Sequence, residues 1–222
     1  MKRIGITQRV VEVPGRSERR DVLDQRWYEF AEQAGIFLIP IPNALHHPDE
    51  YAANLEVDGI IFSGGNNVGY EEGRLVEGKT LEEDDVAVER DRTEALLLEW
   101  AMDNGKPLIG VCRGLQFIHC YFGGVLTPVD AKKHVAVNHA VHFPDSQSLD
   151  IYGGQEQFNS YHDWGIDQDD LANSLNILGT TGNTVEMFKH SEKNIWGIMW
   201  HPERYAEFTE GDITLFRKVF KT

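Results

Sequence analysis

Lys106-Pro107-Leu108-Ile109-Gly110-Val111-Cys112-Arg113-Gly114-Leu115-Gln116 is the stretch that decides the fold. A short apolar run enters a Gly-x-Cys-x-Gly turn and leaves as a helix carrying Leu115, Ile118 and Phe122 on one face. The spacing is that of a nucleophile elbow with sulfur in place of oxygen, a tight strand-to-helix turn that lifts one side chain clear of a sheet. Gly110 and Gly114 leave space where a Cβ would collide, and the first turn of the helix aims unpaired N–H groups at Cys112. Both the dipole and those donors favour a thiolate, the reactive form of cysteine. A buried structural cysteine between two ordinary glycines is the other reading of this motif alone.

Upstream, the pattern predicts a short strand over 3–7, a loop at Pro14-Gly15, and a helix in which Val22, Leu23, Trp27, Phe30, Ala31 and Ala34 recur at helical spacing up to Gly35. A second strand over Ile36–Ile41, a weak helix around 49–55 and a third strand over Gly59–Phe62 follow. This β-α-β-α-β order predicts an α/β chain with a flavodoxin-like, mostly parallel central sheet flanked by helices. Residues 66–85 form an acidic excursion that suits either a solvated loop or a flap. A helix from Val86 to about Asn104 leads back to the elbow strand. Beyond Gly123-Gly124, Val125-Leu126, Val135–Phe143, Ile177-Leu178 and Val185–Phe188 predict a small antiparallel addition. Ile195–Met199 is the last strong strand and a helix near 211–220 closes the chain. Nothing divides residues 1–222, which are expected to form one domain.

The sequence holds 21 basic against 36 acidic residues, a formal net charge of −15, which repels nucleic-acid backbones. Its two cysteines, Cys112 and Cys120, suit a reducing compartment, and a bond between them would consume the reactive thiol. Without a signal-peptide core or a run of membrane-spanning length, a cytoplasmic protein with no membrane partner is expected. The sequence leaves room for a homodimer.

A thiolate that attacks an amide needs a base that can protonate the leaving amine, a group to orient that base, and donors for the oxyanion. His201 and Glu203 follow the last strand two residues apart, so both side chains project to one side, and Pro202 stiffens the link. Gly64 and Gly65, at the end of the third strand, suit an oxyanion hole together with the N–H of Arg113; they also suit a plain tight turn. No cofactor is expected. His134, His139 and His142 suggest a metal, but strand alternation puts His139 opposite the other two, so no metal site is expected. Arg9, Arg16, Arg19 and Arg20 cluster after the first strand, with Arg26 beyond them. Loops at carboxyl strand ends border ligand crevices in such sheets, so these arginines are expected to grip phosphate unless they pair with Glu18, Asp21 and Asp24.

Phe62-Ser63-Gly64-Gly65, the Cys112 elbow through Gln116, Asn159-Ser160-Tyr161-His162 and Trp200-His201-Pro202-Glu203 together resemble the class I glutamine amidotransferase superfamily, closest to its stand-alone γ-glutamyl hydrolases, the peptidase C26 branch. The resemblance implies that fold, a Cys112 nucleophile, a His201 base and a Glu203 orienter. It implies that Gln116, Asn159, Ser160, Tyr161 and His162 bind a γ-glutamyl group. The implied partner is a small γ-glutamyl conjugate cleaved through a thioester. Within the branch, the arginine cluster points to a nucleotide-linked conjugate that releases cytidine diphosphoramidate, with γ-glutamyl-γ-aminobutyrate and free glutamine as the alternatives.

Overall fold

The computed structural model describes residues 1–222. Nine strands, β1 (Lys2–Ile6), β2 (Ile36–Pro40), β3 (Gly59–Phe62), β4 (Leu108–Val111), β5 (Val135–His142), β6 (Gln155–Tyr161), β7 (Leu175–Thr181), β8 (Thr184–His190) and β9 (Ile195–Ile198), form one sheet. Their spatial order is β6-β5-β7-β8-β9-β4-β3-β1-β2. Strands β2, β1, β3, β4 and β9 pair in parallel, in the 2-1-3-4-5 order of a flavodoxin-like sheet. Strands β8, β7, β5 and β6 extend it antiparallel on the β9 side. The parallel strands β3, β4 and β9 are buried along their whole length, as the near-continuous apolar runs of strands covered on both faces require.

Helices α1 (Arg26–Ala34), α2 (Pro48–Asn54), α3 (Val88–Asp103), α4 (Arg113–Tyr121) and α5 (Glu210–Phe220) cover the two faces. On one face, Trp27 and Phe30 of α1 and Phe216 and Phe220 of α5 pack over Ile4, Ile6, Ile61, Ile109 and Ile198. On the other, Leu97 and Leu98 of α3 and Leu115, Phe117 and Ile118 of α4 pack over Ile60, Phe62 and Leu108. The strand residues divide between these two cores by alternation. No helix is long and apolar enough to cross a membrane.

Four local expectations are corrected. Residues 9–22 are neither a plain loop nor the start of α1: Arg9–Glu12 and Arg19–Val22 form a hairpin, and α1 begins only at Arg26. Val125-Leu126 is not a strand; the adjacent Thr127–Pro128 pairs with Trp164–Gly165. The Asn159-Ser160-Tyr161 segment, which reads as a polar loop, is the end of β6. The acidic excursion is folded, with a small hairpin at Tyr70–Glu71 and Arg74–Leu75 and a helical turn at Leu81–Asp84. Tyr70 anchors it to α4, its ring 5.2 Å from Phe117 and stacked at 6.2 Å on Tyr121.

Phe30 is fully buried, 4.8 Å edge-on from Phe216 and 5.4 Å from Phe208. Phe30→Ala is therefore expected to lower unfolding free energy by about 3–5 kcal/mol, read as a lower denaturant midpoint at unchanged slope. A loss below about 1 kcal/mol would show that α1 does not depend on this packing.

Candidate active site

The elbow is built by exclusion. A Cβ on Gly110 would come 2.6 Å from Leu115 N, and one on Gly114 would overlap the Phe62 carbonyl and lie 2.7 Å from Phe62 Cβ. With both side chains absent, β4 turns directly into α4. Cys112 sits at the turn with φ 52° and ψ −107°, a backbone state that costs a non-glycine residue about 1–3 kcal/mol and survives because its surroundings hold it. Its N–H donates to the Ile198 carbonyl at 2.8 Å, and its own carbonyl accepts from Gln116 at 3.1 Å.

The neighbouring parallel strands deliver the other groups. Gly64-Gly65 follow β3, Cys112 follows β4 and His201 follows β9, so three adjacent carboxyl ends converge. His201 Nδ1 donates to Glu203 Oε1 at 2.7 Å, which leaves Nε2 for the Cys112 side; both residues are buried. Burial pushes the Cys112 thiol up, but the charges of His201, His162 and Arg204 outweigh it and hold the group below the usual thiol range. Burial likewise pushes His201 down, yet Glu203 and Cys112 win and raise it to about 9. Both shifts favour a thiolate–imidazolium pair. Cys120, on the same helix inside the core, is pushed up to about 12 by burial and stays a thiol.

A buried network that the sequence reading missed aims the glycine pair. Arg90, on the inner face of α3, donates to the carbonyls of Ser63 (2.5 Å), Gly64 (3.1 Å) and Gly65 (2.5 Å) and pairs with Glu94 at 2.9 Å. In a trans peptide the N–H points away from the C=O, so carbonyls turned toward Arg90 turn the Gly64 and Gly65 N–H groups away from α3. Neither of these groups, nor the Arg113 N–H, donates to another backbone carbonyl. A Cβ on Gly64 would come 2.5 Å from His201 Cε1, so the turn packs directly against the imidazole. The Arg113 side chain, fully buried, bridges Asp91 and Glu94, and Thr7 donates to Glu94 at 2.8 Å. A sequence signal existed: Arg90 and Glu94 share the helical stripe of Leu97, Leu98 and Ala101.

The residues assigned to the γ-glutamyl group divide. Gln116 donates to the Trp164 carbonyl at 2.8 Å and lines a cleft of about 530 Å³ with Trp164, Tyr70 and the helical turn of the acidic excursion. Asn159 is spent elsewhere: its Nδ2 donates to the His201 carbonyl at 2.8 Å and its Oδ1 accepts from the His201 N–H at 2.9 Å. Ser160 Oγ donates to the His134 carbonyl at 2.5 Å. Tyr161 is half exposed, its ring 5.8 Å edge-on from His201 and 4.6 Å beneath the Arg204 guanidinium. His162 is buried; burial pushes it down, but Glu186, Cys112 and the Trp164 carbonyl raise it overall.

The arginines do not form one phosphate clamp. Arg16 and Arg20 pair with Glu18 inside the hairpin, and Arg19 pairs with Glu89 at 2.7 Å. Arg26 is taken by Glu29 and the Tyr205 and Ala206 carbonyls. Asp21 instead holds Asn43, at 2.8 and 3.0 Å. Arg9 alone of the cluster borders the site, in a small cleft with Gly64, Gly65, His201, Glu203 and Arg204, although it also pairs with Asp85 at 3.1 Å. Arg204, not singled out from sequence, is the other cation there.

The histidine geometry is also corrected. Ala136, at φ 55°, marks a bulge where the β5–β6 register shifts between Val135 and Val137. The extra residue reverses the phase, so His139 joins His134, and His162 and Glu186 meet them, while His142 points elsewhere.

Comparison with known proteins agrees with this architecture. The profile of the Peptidase C26 family matches residues 4–203. The gamma-glutamyl-CDP-amidate hydrolase of Campylobacter jejuni subsp. jejuni serotype O:2 is 30% identical over 204 residues, 90% of each chain. A glutamine-hydrolyzing GMP synthase subunit of Methanococcus maripaludis is 26% identical over 173 residues, 75% of each. Among solved structures, a putative GMP synthase subunit from Thermoplasma acidophilum aligns with TM-score 0.70 at 17% identity, over 100% of this chain and 94% of that one. A glutamine amidotransferase from Thermotoga maritima aligns with TM-score 0.66 at 15% identity, over 99% and 84%. The fold is that of the class I glutamine amidotransferases, and the chain belongs to the peptidase C26 family.

Proposed function

We propose that this protein hydrolyses a γ-glutamyl amide bond with Cys112 as nucleophile. The observation that carries the reading is the strained, buried Cys112 at one of three neighbouring strand ends, the other two carrying the His201–Glu203 pair and the Gly64-Gly65 turn. The thiolate attacks the γ-carbonyl. The developing oxyanion accepts from the N–H groups of Gly64, Gly65 and Arg113. His201 gives its proton to the departing nitrogen while Glu203 keeps the ring oriented. Water, deprotonated by His201, then cleaves the γ-glutamyl thioester and releases glutamate. The cleft walled by Gln116 and Trp164 is the space for the glutamyl end. Asn159 acts one step back, as a positioning residue for His201.

For the leaving group, the best-supported reading is a nucleotide-linked phosphoramidate. The substrate is then γ-glutamyl-CDP-amidate, by analogy with the Campylobacter jejuni relative. Arg9 and Arg204 are the cations that would meet its phosphates. The GMP synthase subunits among the relatives favour a second reading, in which free glutamine is hydrolysed and ammonia passes to a synthase partner.

Two experiments test this function. The alkylation rate of Cys112 against pH is expected to inflect below the ordinary thiol value of about 8.5, with one cysteine labelled per chain. His201→Asn moves that inflection upward. Turnover falls as pH rises through about 9, where His201 loses its proton. An inflection at or above the free-thiol value sinks the ion-pair assignment.

In the second, glutamate release is measured from glutamine, γ-glutamyl-γ-aminobutyrate and γ-glutamyl-CDP-amidate. Cys112→Ala is expected to abolish release by at least about 10³-fold. Arg9→Ala and Arg204→Ala are expected to cost about ten- to a hundredfold on the nucleotide substrate alone. Equal losses on all substrates remove the phosphate argument. Ammonia production from glutamine that appears only with a synthase added would favour the second reading.

A further inference from the structure

Beyond Cys112, four ionisable side chains from separate segments converge. His134 ends the helical turn Ala131–His134, His139 lies in β5, His162 follows β6 and Glu186 lies in β8. One ligand atom from each lies within 4.8 Å of all the others. His134, His162 and Glu186 are buried, and the His139 side chain is 9% exposed.

The Glu186 carboxylate is faced by three imidazoles at 3.5–3.7 Å, yet the cluster's hydrogen-bonding groups are not satisfied. Both Glu186 carboxylate oxygens and His139 Nε2 are buried without a hydrogen-bond partner. A carboxylate desolvated in this way is costly unless a positive group faces it. The tautomers sharpen the point. His139 Nδ1 sits 3.3 Å from the Lys133 carbonyl and His162 Nδ1 sits 3.0 Å from the Trp164 carbonyl. Those nitrogens therefore carry the protons, and in the neutral rings both Nε2 lone pairs point into the cluster. Carbonyl acceptors of this kind are what orients metal-binding imidazoles.

The spacing fits a small cation. His134 Nδ1 and His162 Nε2 are 3.3 Å apart; Glu186 oxygens lie 3.5 Å from His139 Nε2, 3.6 Å from His162 Nε2 and 3.7 Å from His134 Nδ1. A tetrahedron with metal–ligand bonds of about 2.0–2.1 Å has edges of about 3.3–3.4 Å. An entry path exists, since His134 and His139 line an open cleft of about 650 Å³ with Asp130 and Thr184.

We propose that His134, His139, His162 and Glu186 form a four-coordinate site for a divalent transition metal of the zinc class. Three imidazoles and a carboxylate suit zinc, and with four protein ligands the site is closed, hence structural. It ties the antiparallel strands β5 and β8 to the segment after β6 whose Trp164 carbonyl holds Gln116. The ion thereby fixes one wall of the cleft that Gln116 and Trp164 line, without touching the Cys112 sulfur.

The test uses the full-length protein after chelator treatment and dialysis, titrated with zinc and, for spectroscopy, cobalt(II). Expected are one zinc per chain, a melting temperature several degrees higher with zinc, and the intense visible bands of tetrahedral cobalt. Cys112→Ala keeps all three. His139→Gln, at the least buried ligand, weakens zinc binding at least about tenfold, as does Glu186→Gln if it folds. His142→Gln, on the same strand, changes nothing. The proposal is overturned if zinc neither binds nor stabilises, if cobalt stays octahedral, if His139→Gln binds zinc like wild type, or if Cys112→Ala abolishes binding. Metal content and glutamate release are separate readouts, so this site and the proposed hydrolysis fail independently.

Discussion

Four buried charges, Arg90, Asp91, Glu94 and Arg113, hold the working end of this molecule together. Their side chains are at most 1% exposed, and two cations balance two anions. Through them α3 is bonded to α4, to Thr7 after β1 and to the Ser63–Gly65 turn after β3. Such a quartet contributes little to net stability compared with an apolar core, but deleting one member strands a charge at about 3–5 kcal/mol. Its value is positional. The elbow helix, the glycine turn and the helix between them share one electrostatic joint, and the Gly64 and Gly65 N–H groups are turned away from α3 by carbonyls that Arg90 holds.

What was legible in the sequence is what local sterics or short spacing decide. Gly110 and Gly114 are readable because a side chain at either position collides with the neighbouring backbone, whatever the rest of the chain does. His201 and Glu203 are readable because they stand two residues apart after an apolar strand, although a 3-10 turn over Pro202–Arg204, not extended chain, brings them together. The parallel strands announce themselves as apolar runs. Interactions that depend on distant partners were not legible. The helical stripe of Arg90 and Glu94 marks them as inward-facing, but nothing in it names Arg113 on α4 or the Ser63–Gly65 carbonyls as their partners. Gln155–Tyr161 has only Phe158 as a buried apolar residue and reads as loop, because an outer strand takes its stability from pairing with β5. A single residue with positive φ, Ala136, defeats the alternation rule for His139, and no pattern within Val135–His142 marks it.

The arginine cluster illustrates the same limit in electrostatics. In a strongly acidic chain a run of arginines stands out by composition, but their neighbours in space are carboxylates of the same hairpin and of α3. Exposed pairs of this kind are worth about 0–1 kcal/mol each, so they describe resting positions more than commitments. Position is the sharper criterion. It selects Arg9 and Arg204, which lie beside His201, over cations that merely share a loop.

The grip of Asn159 on the His201 backbone has a consequence for how the chain must fold. β6 is the outermost strand, four places from β9, and in a flat sheet would lie about 19 Å away. That it bonds His201 directly means the antiparallel half coils back over the carboxyl ends and closes on the parallel half as a seam. A slip of one residue in β6 would present Phe158 or Ser160 in place of Asn159 and leave the His201 backbone unheld. Long-range pairings of this kind form slowly, since their loops must close before any contact rewards them. Chains that mispair there would lose the seam that holds the His201 backbone, so the accuracy with which β6 finds its place decides how the carboxyl end of β9 is set.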